Sequence, residues 1–317
     1  MAEDIIELYS NTNHPELKAG ETIKEVVDRL CQPHSFEKVY FRDAHDVAMP
    51  SINTLRQVMN QLQQILFPGY FADSDLSPAT MPFYVGSHLD KIAKSLMTQF
   101  MSGFCVTCYK EEVGYCPSCH TKSRETVLRF LAALPRIREL LASDVQAAYD
   151  GDPASKSLNE IIFCYPSIKA LTSYRIAHEL YRLGVPLLPR IITELAHSET
   201  GIDIHPGAEI DDRFFIDHGT GTVIGETCII GKNVRIYQGV TLGAKSFPLD
   251  ELGNPIKGIP RHPVVEDDVI IYAGTTILGR VTIGKGSVIG GNVWITSDIP
   301  AESQVTQQQP KKIVIKN

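Results

Sequence analysis

Asp203, His218 and His262 are residue types that move protons or hold charged ligands, and the two histidines stand where the surrounding sequence loses its rhythm. A carboxylate beside an imidazole fixes its tautomer and raises its basicity, which suits the ring to general-base work near neutral pH. Asp203 lies in Ile202-Asp203-Ile204-His205-Pro206, and His218 follows 15 residues later in Asp217-His218-Gly219-Thr220-Gly221. His262 sits between Arg261 and Pro263. A guanidinium in that position is suited to a bidentate grip on a carboxylate. The bland alternative is a structural turn histidine at each place; two histidines at two separate breaks favour function. A catalytic zinc would need three converging imidazoles, including a pair close in sequence. His205, His218 and His262 are widely spaced and flanked by Asp and Arg, so no metal is expected among them. Gly219-Thr220-Gly221 lacks the third glycine and the strand–loop–helix setting of a dinucleotide fingerprint.

Cysteines form a second constellation: Cys105-x-x-Cys108 and Cys116-x-x-Cys119, with His120 adjacent. Paired CxxC motifs suit a structural tetrahedral zinc site, because each pair folds two thiolates onto one ion. The seven residues between the pairs are fewer than the roughly 12–20 typical of such sites. That spacing favours free thiols on a surface hairpin between two helices over zinc.

The elements that must position these residues are written in a hexad repeat. Ile204, Ile210 and Ile216 open it, Ile224, Ile230, Ile236 and Leu242 continue it, and Val265, Ile271, Ile277, Ile283, Ile289 and Ile295 complete it. One hexad makes a short strand and its corner, three make a triangular coil, and the aliphatic points into the prism, so a parallel β-helix is expected over about 201–300. Its beat slips to eight residues between Ile216 and Ile224, around His218. It also breaks for an excursion over 244–264 that returns through Arg261-His262-Pro263. Insertions in repeat proteins usually mark the working face.

Residues 1–200 are predicted helical. Ser51 caps a helix carrying Ile52, Leu55, Val58, Leu62 and Ile65, and Ser87 with Asp90 begins another. Two more run from Ser123 to Leu134 and from Pro135 to Tyr149, and a further one from Pro166 to Leu183, ended by Gly184. The expected class is thus α+β: helices over 1–200, a β-helix over 201–300, and a mobile polar tail over 301–317. With 43% hydrophobic and 21% charged residues the composition is that of an ordinary globular protein. A net charge of −7 argues against a general nucleic-acid surface. No apolar run is long enough for a membrane span, and no basic-then-apolar leader opens the chain, so cytoplasm is expected.

Taken in order, Asp152-Pro153-Ala154, Tyr165-Pro166, Tyr174-Arg175-Ile176-Ala177-His178, Asp203-Ile204-His205-Pro206, Asp217-His218-Gly219-Thr220-Gly221, Gly239-Val240-Thr241-Leu242-Gly243 and Arg261-His262-Pro263 resemble the serine acetyltransferase family. The resemblance covers about residues 125–300; it leaves 1–120 as a variable extension and 121–200 as family-like helices. It implies a left-handed β-helix and acetyl transfer from acetyl-CoA to the hydroxyl of L-serine, with feedback inhibition by L-cysteine. By position it implies His218 as the base, Asp203 orienting it, Arg261 and His262 on the substrate carboxylate, and Asp152 and Asp217 on the ammonium. Gly243, Ala244, Lys245, Ala273 and Gly274 are then the expected CoA contacts, along a prism edge between two subunits of a trimer or hexamer. The runner-up is a related acyltransferase acting on a sugar or homoserine hydroxyl; Asp152-Pro153-Ala154 argues against a sugar. The long 244–264 excursion, with Ala244-Lys245 where a second Gly and Thr are usual, departs from the family. So does the terminal Asn317, where many members end in Ile. Docking of this tail to a partner sulfhydrylase is therefore expected to be weak or absent.

Overall fold

The computed structural model of the chain describes residues 23–39, 47–71, 76–108 and 116–307. Two exposed helices, α1 (Ile23–Leu30) and α2 (Pro33–Phe36), precede α3 (Ile52–Leu66). Ser51 caps α3 as expected, its Oγ accepting from the Thr54 N–H at 3.2 Å. Helix α4 (Met81–Val106) starts six residues before Ser87. Pro82 explains the earlier start, because its fixed φ and missing N–H suit a first helical turn. Asp90 instead pairs with Lys94 one turn on, at 2.7 Å.

The two helices expected on either side of Pro135 are one 35-residue helix, α5 (Pro117–Gly151). Phe130, Leu134, Ile137, Leu141 and Val145 form a single buried stripe at three–four spacing straight through the proline. Burial along that stripe outweighs the roughly 3 kcal/mol that an interior proline costs. Helices α6 (Leu158–Cys164), α7 (Pro166–Arg182) and α8 (Leu188–Thr200) follow. Pro166 opens α7 as expected. Gly201, at φ 70°, ends α8 in the left-handed conformation and turns the chain into the prism. Among the described residues no helix is long and apolar enough to cross a membrane.

The strands build three parallel faces. Face A holds β1 (Asp203–Ile204), β4 (Val223–Ile224), β7 (Thr241–Gly243), β10 (Thr276–Leu278) and β13 (Trp294–Ile295). Face B holds β2 (Glu209–Ile210), β5 (Ile229–Ile230), β8 (Val264–Val265) and β11 (Thr282–Ile283). Face C holds β3 (Phe215–Asp217), β6 (Arg235–Tyr237), β9 (Ile270–Ile271), β12 (Val288–Ile289) and β14 (Gln304–Val305). The hexad aliphatics stack in register, Ile204 on Ile224 on Leu242 on Ile277 on Ile295 down face A. Every aliphatic of the repeat from Ile204 to Ile295 is buried, each contributing roughly 1.5–3 kcal/mol. Strand β14 corrects the expectation of a mobile tail from Ala301: Gln304 and Val305 pair with Val288 and Ile289, extending face C. The terminal residues Lys311 to Asn317, and with them the docking expectation, lie outside the described residues.

A buried ion pair joins the helices to the first coil. Arg175 of α7 meets Asp144 of α5 through two hydrogen bonds of 3.1 and 2.9 Å, and its remaining donors reach the Ile210 and Asp211 carbonyls. The Phe214 N–H also donates to Asp144, at 3.0 Å. Burial pushes the Asp144 carboxyl up, yet the three converging donors are the geometry of an ionised pair. This junction lies two turns before the end of α5, so it fixes where that end meets the prism.

Candidate active site

Helix α5 stops at Gly151, and Asp152 follows in an extended conformation. The missing side chain at Gly151 matters: a Cβ there would come within 2.7 Å of the Arg235 guanidinium, which lies against the helix end from face C. Tyr165 donates its hydroxyl to Asp152 at 2.5 Å, and the Ala154 N–H donates at 2.8 Å. The Tyr165 bond, foremost, holds the Asp152 carboxyl below the usual carboxylate range, with His218 and Arg235 adding to it.

Asp217 ends β3 with its side chain only 14% exposed, while the adjoining His218 side chain is 75% exposed. Burial pushes the Asp217 carboxyl up, and the negative charge of Asp152 adds to the rise, against the pull of His218. His218 Nε2 lies 3.9 Å from Asp217 Oδ1. The two extra residues of this coil are absorbed by left-handed backbone at His218 (φ 54°), Gly219 (φ 89°) and Gly221 (φ 78°). A non-glycine residue in that region costs energy and persists where its surroundings over-determine it. Here Gly219 packs so tightly on Ile202 that a Cβ would fall 2.5 Å from its Cδ1. The result is a tightly packed turn that lifts an imidazole into solvent near the Asp217 and Asp152 carboxylates. Such a group can bind a cation and take a proton from a neighbouring hydroxyl.

Arg261 and His262 are assembled at a different corner, where face A passes to face B. Gly225 makes room for the His262 ring, since a Cβ would lie 2.1 Å from its Cδ2. The Thr227 N–H donates to His262 Nδ1 at 3.1 Å, while Thr227 Oγ1 accepts from the Arg261 and His262 N–H groups. Burial, then Arg261, lowers the His262 pKa to about 4. Arg261 pairs with Glu226 at 2.7 Å.

The structure thus brings Asp152, Asp217 and His218 together, and Arg261 and His262 together, on corners separated by face A. Asp203 opens face A one coil before His218, grouped with Glu194 and His197. Among the described residues no hydrogen bond joins Asp203 to His218. The expected CoA contacts divide in the same way. Gly243, Ala244 and Lys245 leave face A towards face B, where Lys245 Cβ lies against Gly279. Ala273 and Gly274 form the corner from face C to face A, in a column of close-packed glycines with Gly221 and Gly239.

Arg235, Glu226 and Thr227 do not stand out in the sequence, and Tyr165 does so only as part of a motif with no role given to it. Tyr165 stood in a recognisable Tyr-Pro pair, and Arg235 precedes the aliphatic Ile236, an outward-facing position of its hexad. Either could have been found from that placement.

Residues 262–297 match the bacterial transferase hexapeptide (six repeats) family. A relative named serine acetyltransferase, plasmid, from Synechococcus elongatus is 54% identical over 95% of this chain and 96% of its own length. Serine acetyltransferase isoform 3 of Entamoeba histolytica, solved in complex with cysteine, superposes with a TM-score of 0.68 at 33% identity, covering 92% of each chain. The Neisseria gonorrhoeae serine acetyltransferase, solved in complex with serine, gives a TM-score of 0.52 at 25% identity, over 84% of this chain and 98% of that one. With the ordered motifs, the hexad prism and near full-length identity in agreement, the chain belongs to the serine acetyltransferase family.

Proposed function

We propose that this protein transfers the acetyl group of acetyl-CoA to the hydroxyl of L-serine, releasing O-acetyl-L-serine and CoA. One observation carries the reading to this chain's own residues: the Asp152 and Asp217 carboxylates lie close enough to repel each other, beside an exposed imidazole held by a left-handed turn. The two carboxylates take the serine ammonium, which relieves their mutual repulsion. His218 Nε2 accepts the hydroxyl proton as the serine oxygen bonds to the thioester carbonyl carbon. The tetrahedral oxyanion then re-forms its C=O, expels the CoA thiolate, and the imidazolium returns the proton to that sulfur. No acyl-enzyme forms. Asp203, at the start of face A beside this corner, orients His218 once the exposed ring turns towards it.

Arg261 and His262 take the serine carboxylate. Because their corner is separated from His218 by face A, they are supplied by a neighbouring copy in a homo-oligomer, closed as cyclic assemblies are. Acetyl-CoA lies along the same seam, between Gly243, Ala244 and Lys245 of one copy and Ala273 and Gly274 of the next. L-Cysteine has the ammonium and carboxylate of serine with a thiol for the hydroxyl, so it occupies the serine site and its inhibition should be competitive with serine in initial rates. The complexes of relatives with serine and with cysteine support both assignments.

The test is release of CoA thiol from acetyl-CoA with serine, homoserine and sugars as acceptors; serine is the preferred substrate. His218→Ala should lower kcat by on the order of 10²–10⁴, the worth of a positioned general base, with its circular dichroism unchanged. Asp203→Asn should lose less. Near-normal turnover in folded His218→Ala would remove this histidine from the mechanism.

A further inference from the structure

The four-cysteine segment is not part of the site above, and the structure changes what its spacing suggested. Cys105 lies in the last turn of α4 and Cys108 just past it; Cys116 caps α5 and Cys119 is in its first turn. Each CxxC pair therefore stands at a helix end, and the antiparallel hairpin of α4 and α5 brings the ends together. Cys108, Cys116 and Cys119 have sulfurs within 4.8 Å of one another. Cys105 is a close neighbour of Cys119. None of the four is in a disulfide. They are not a surface feature: Cys105, Cys116 and Cys119 are at most 5% exposed, with Phe104 and Phe100 in the same core.

We propose that Cys105, Cys108, Cys116 and Cys119 bind one zinc ion that clamps the α4–α5 hairpin. In a tetrahedral site with Zn–S of about 2.3 Å the sulfurs stand about 3.8 Å apart. Cys108, Cys116 and Cys119 need to draw in by about 1 Å at most, and Cys105, outside that trio, takes the fourth position by side-chain rotation. A cluster of several irons and sulfides needs a wider cage, so a single ion fits better. The short spacer between the pairs is no obstacle, because the hairpin rather than the spacer brings the pairs together. Binding is balanced by release of four thiol protons to solvent, leaving a dianionic zinc tetrathiolate. The N-terminus of α5 and Lys122, whose Nζ lies over the Phe104 ring at 4.2 Å, offset the added negative charge.

The experiment uses the full-length protein purified under reducing, anaerobic conditions. Metal analysis should find zinc near one equivalent per chain. Replacement by cobalt(II) should give the intense visible bands and near-ultraviolet charge transfer of tetrahedral thiolate coordination. Cys116→Ser with Cys119→Ser should abolish the bands, whereas Cys31→Ser with Cys164→Ser, at exposed positions elsewhere, should keep them. Should the double variant fail to fold, protection of four thiols from alkylation in the wild type, lost on chelation, reports the same site. Absence of bound zinc after zinc is supplied, an iron–sulfur chromophore, or a mass two units lower per disulfide would each overturn the proposal.

Discussion

A histidine held to a pKa of about 4 is uncharged at neutral pH, and His262 is in that state because burial and the adjacent Arg261 both disfavour the imidazolium. The Thr227 N–H occupies Nδ1, so the proton resides on Nε2 and, in the proposed site, the ring would offer the substrate a donor rather than a charge. The unfolded imidazole takes its proton near pH 6.5, the folded one near 4. Between these values the unfolded state binds more protons, so stability should fall as pH drops through the window and stay lost below it. Calorimetric scans should show His262→Gln flattening that decline; an unchanged slope would refute the assignment. Gly225→Ala tests the same ring by geometry. The new Cβ must displace His262, and loss of one substrate hydrogen bond at about 1–3 kcal/mol should raise the serine KM by roughly 5- to 150-fold. Asp152, Asp217, His218, Arg261 and His262, the residues of the proposed site, could be picked out in the sequence because each belongs to an ordered motif, most of them at an irregularity in the repeat. Thr227 was not, because its partnership with His262 spans the excursion, and only the stacked coils bring them together.

Among the elements, the strands were legible and the helix ends less so, for a physical reason. A hexad specifies its own strand, corner and buried residue, so each unit is written locally. Helix boundaries depend on competition: Pro135 would break an isolated helix, but the buried stripe from Phe130 to Val145 keeps α5 continuous. The unshifted phase of that stripe was the available signal. Continuity matters, because α5 carries Asp144 and delivers Asp152. Asp144→Ala strands a buried guanidinium and should cost about 3–5 kcal/mol, read as a lower urea midpoint at unchanged m-value. Adding Arg175→Met should recover only part, since the Ile210 and Asp211 carbonyls then lose their donor.

At the scale of the whole molecule, a helical region is set on a three-faced column in which the coil-to-coil register fixes every corner. The prism was foreseeable from the repeat alone. The final strand β14 was not, because Gln304-Val305 sits in a polar stretch and is held by pairing with Val288 and Ile289 rather than by an aliphatic on the beat. Nor could a linear reading show that the two groups of site residues project from different corners of one chain.

That separation makes the proposed site divisible between genes. A chain bearing His218→Ala still presents an intact Arg261–His262 corner, and one bearing His262→Ala still presents an intact His218 turn. Each alone is inactive. Unfolded together and reassembled, they should regain turnover, because some seams then join one chain's good corner to the other's, and the regained activity should vary with the mixing ratio. Mixtures as dead as their parents would mean that a single copy supplies every catalytic group.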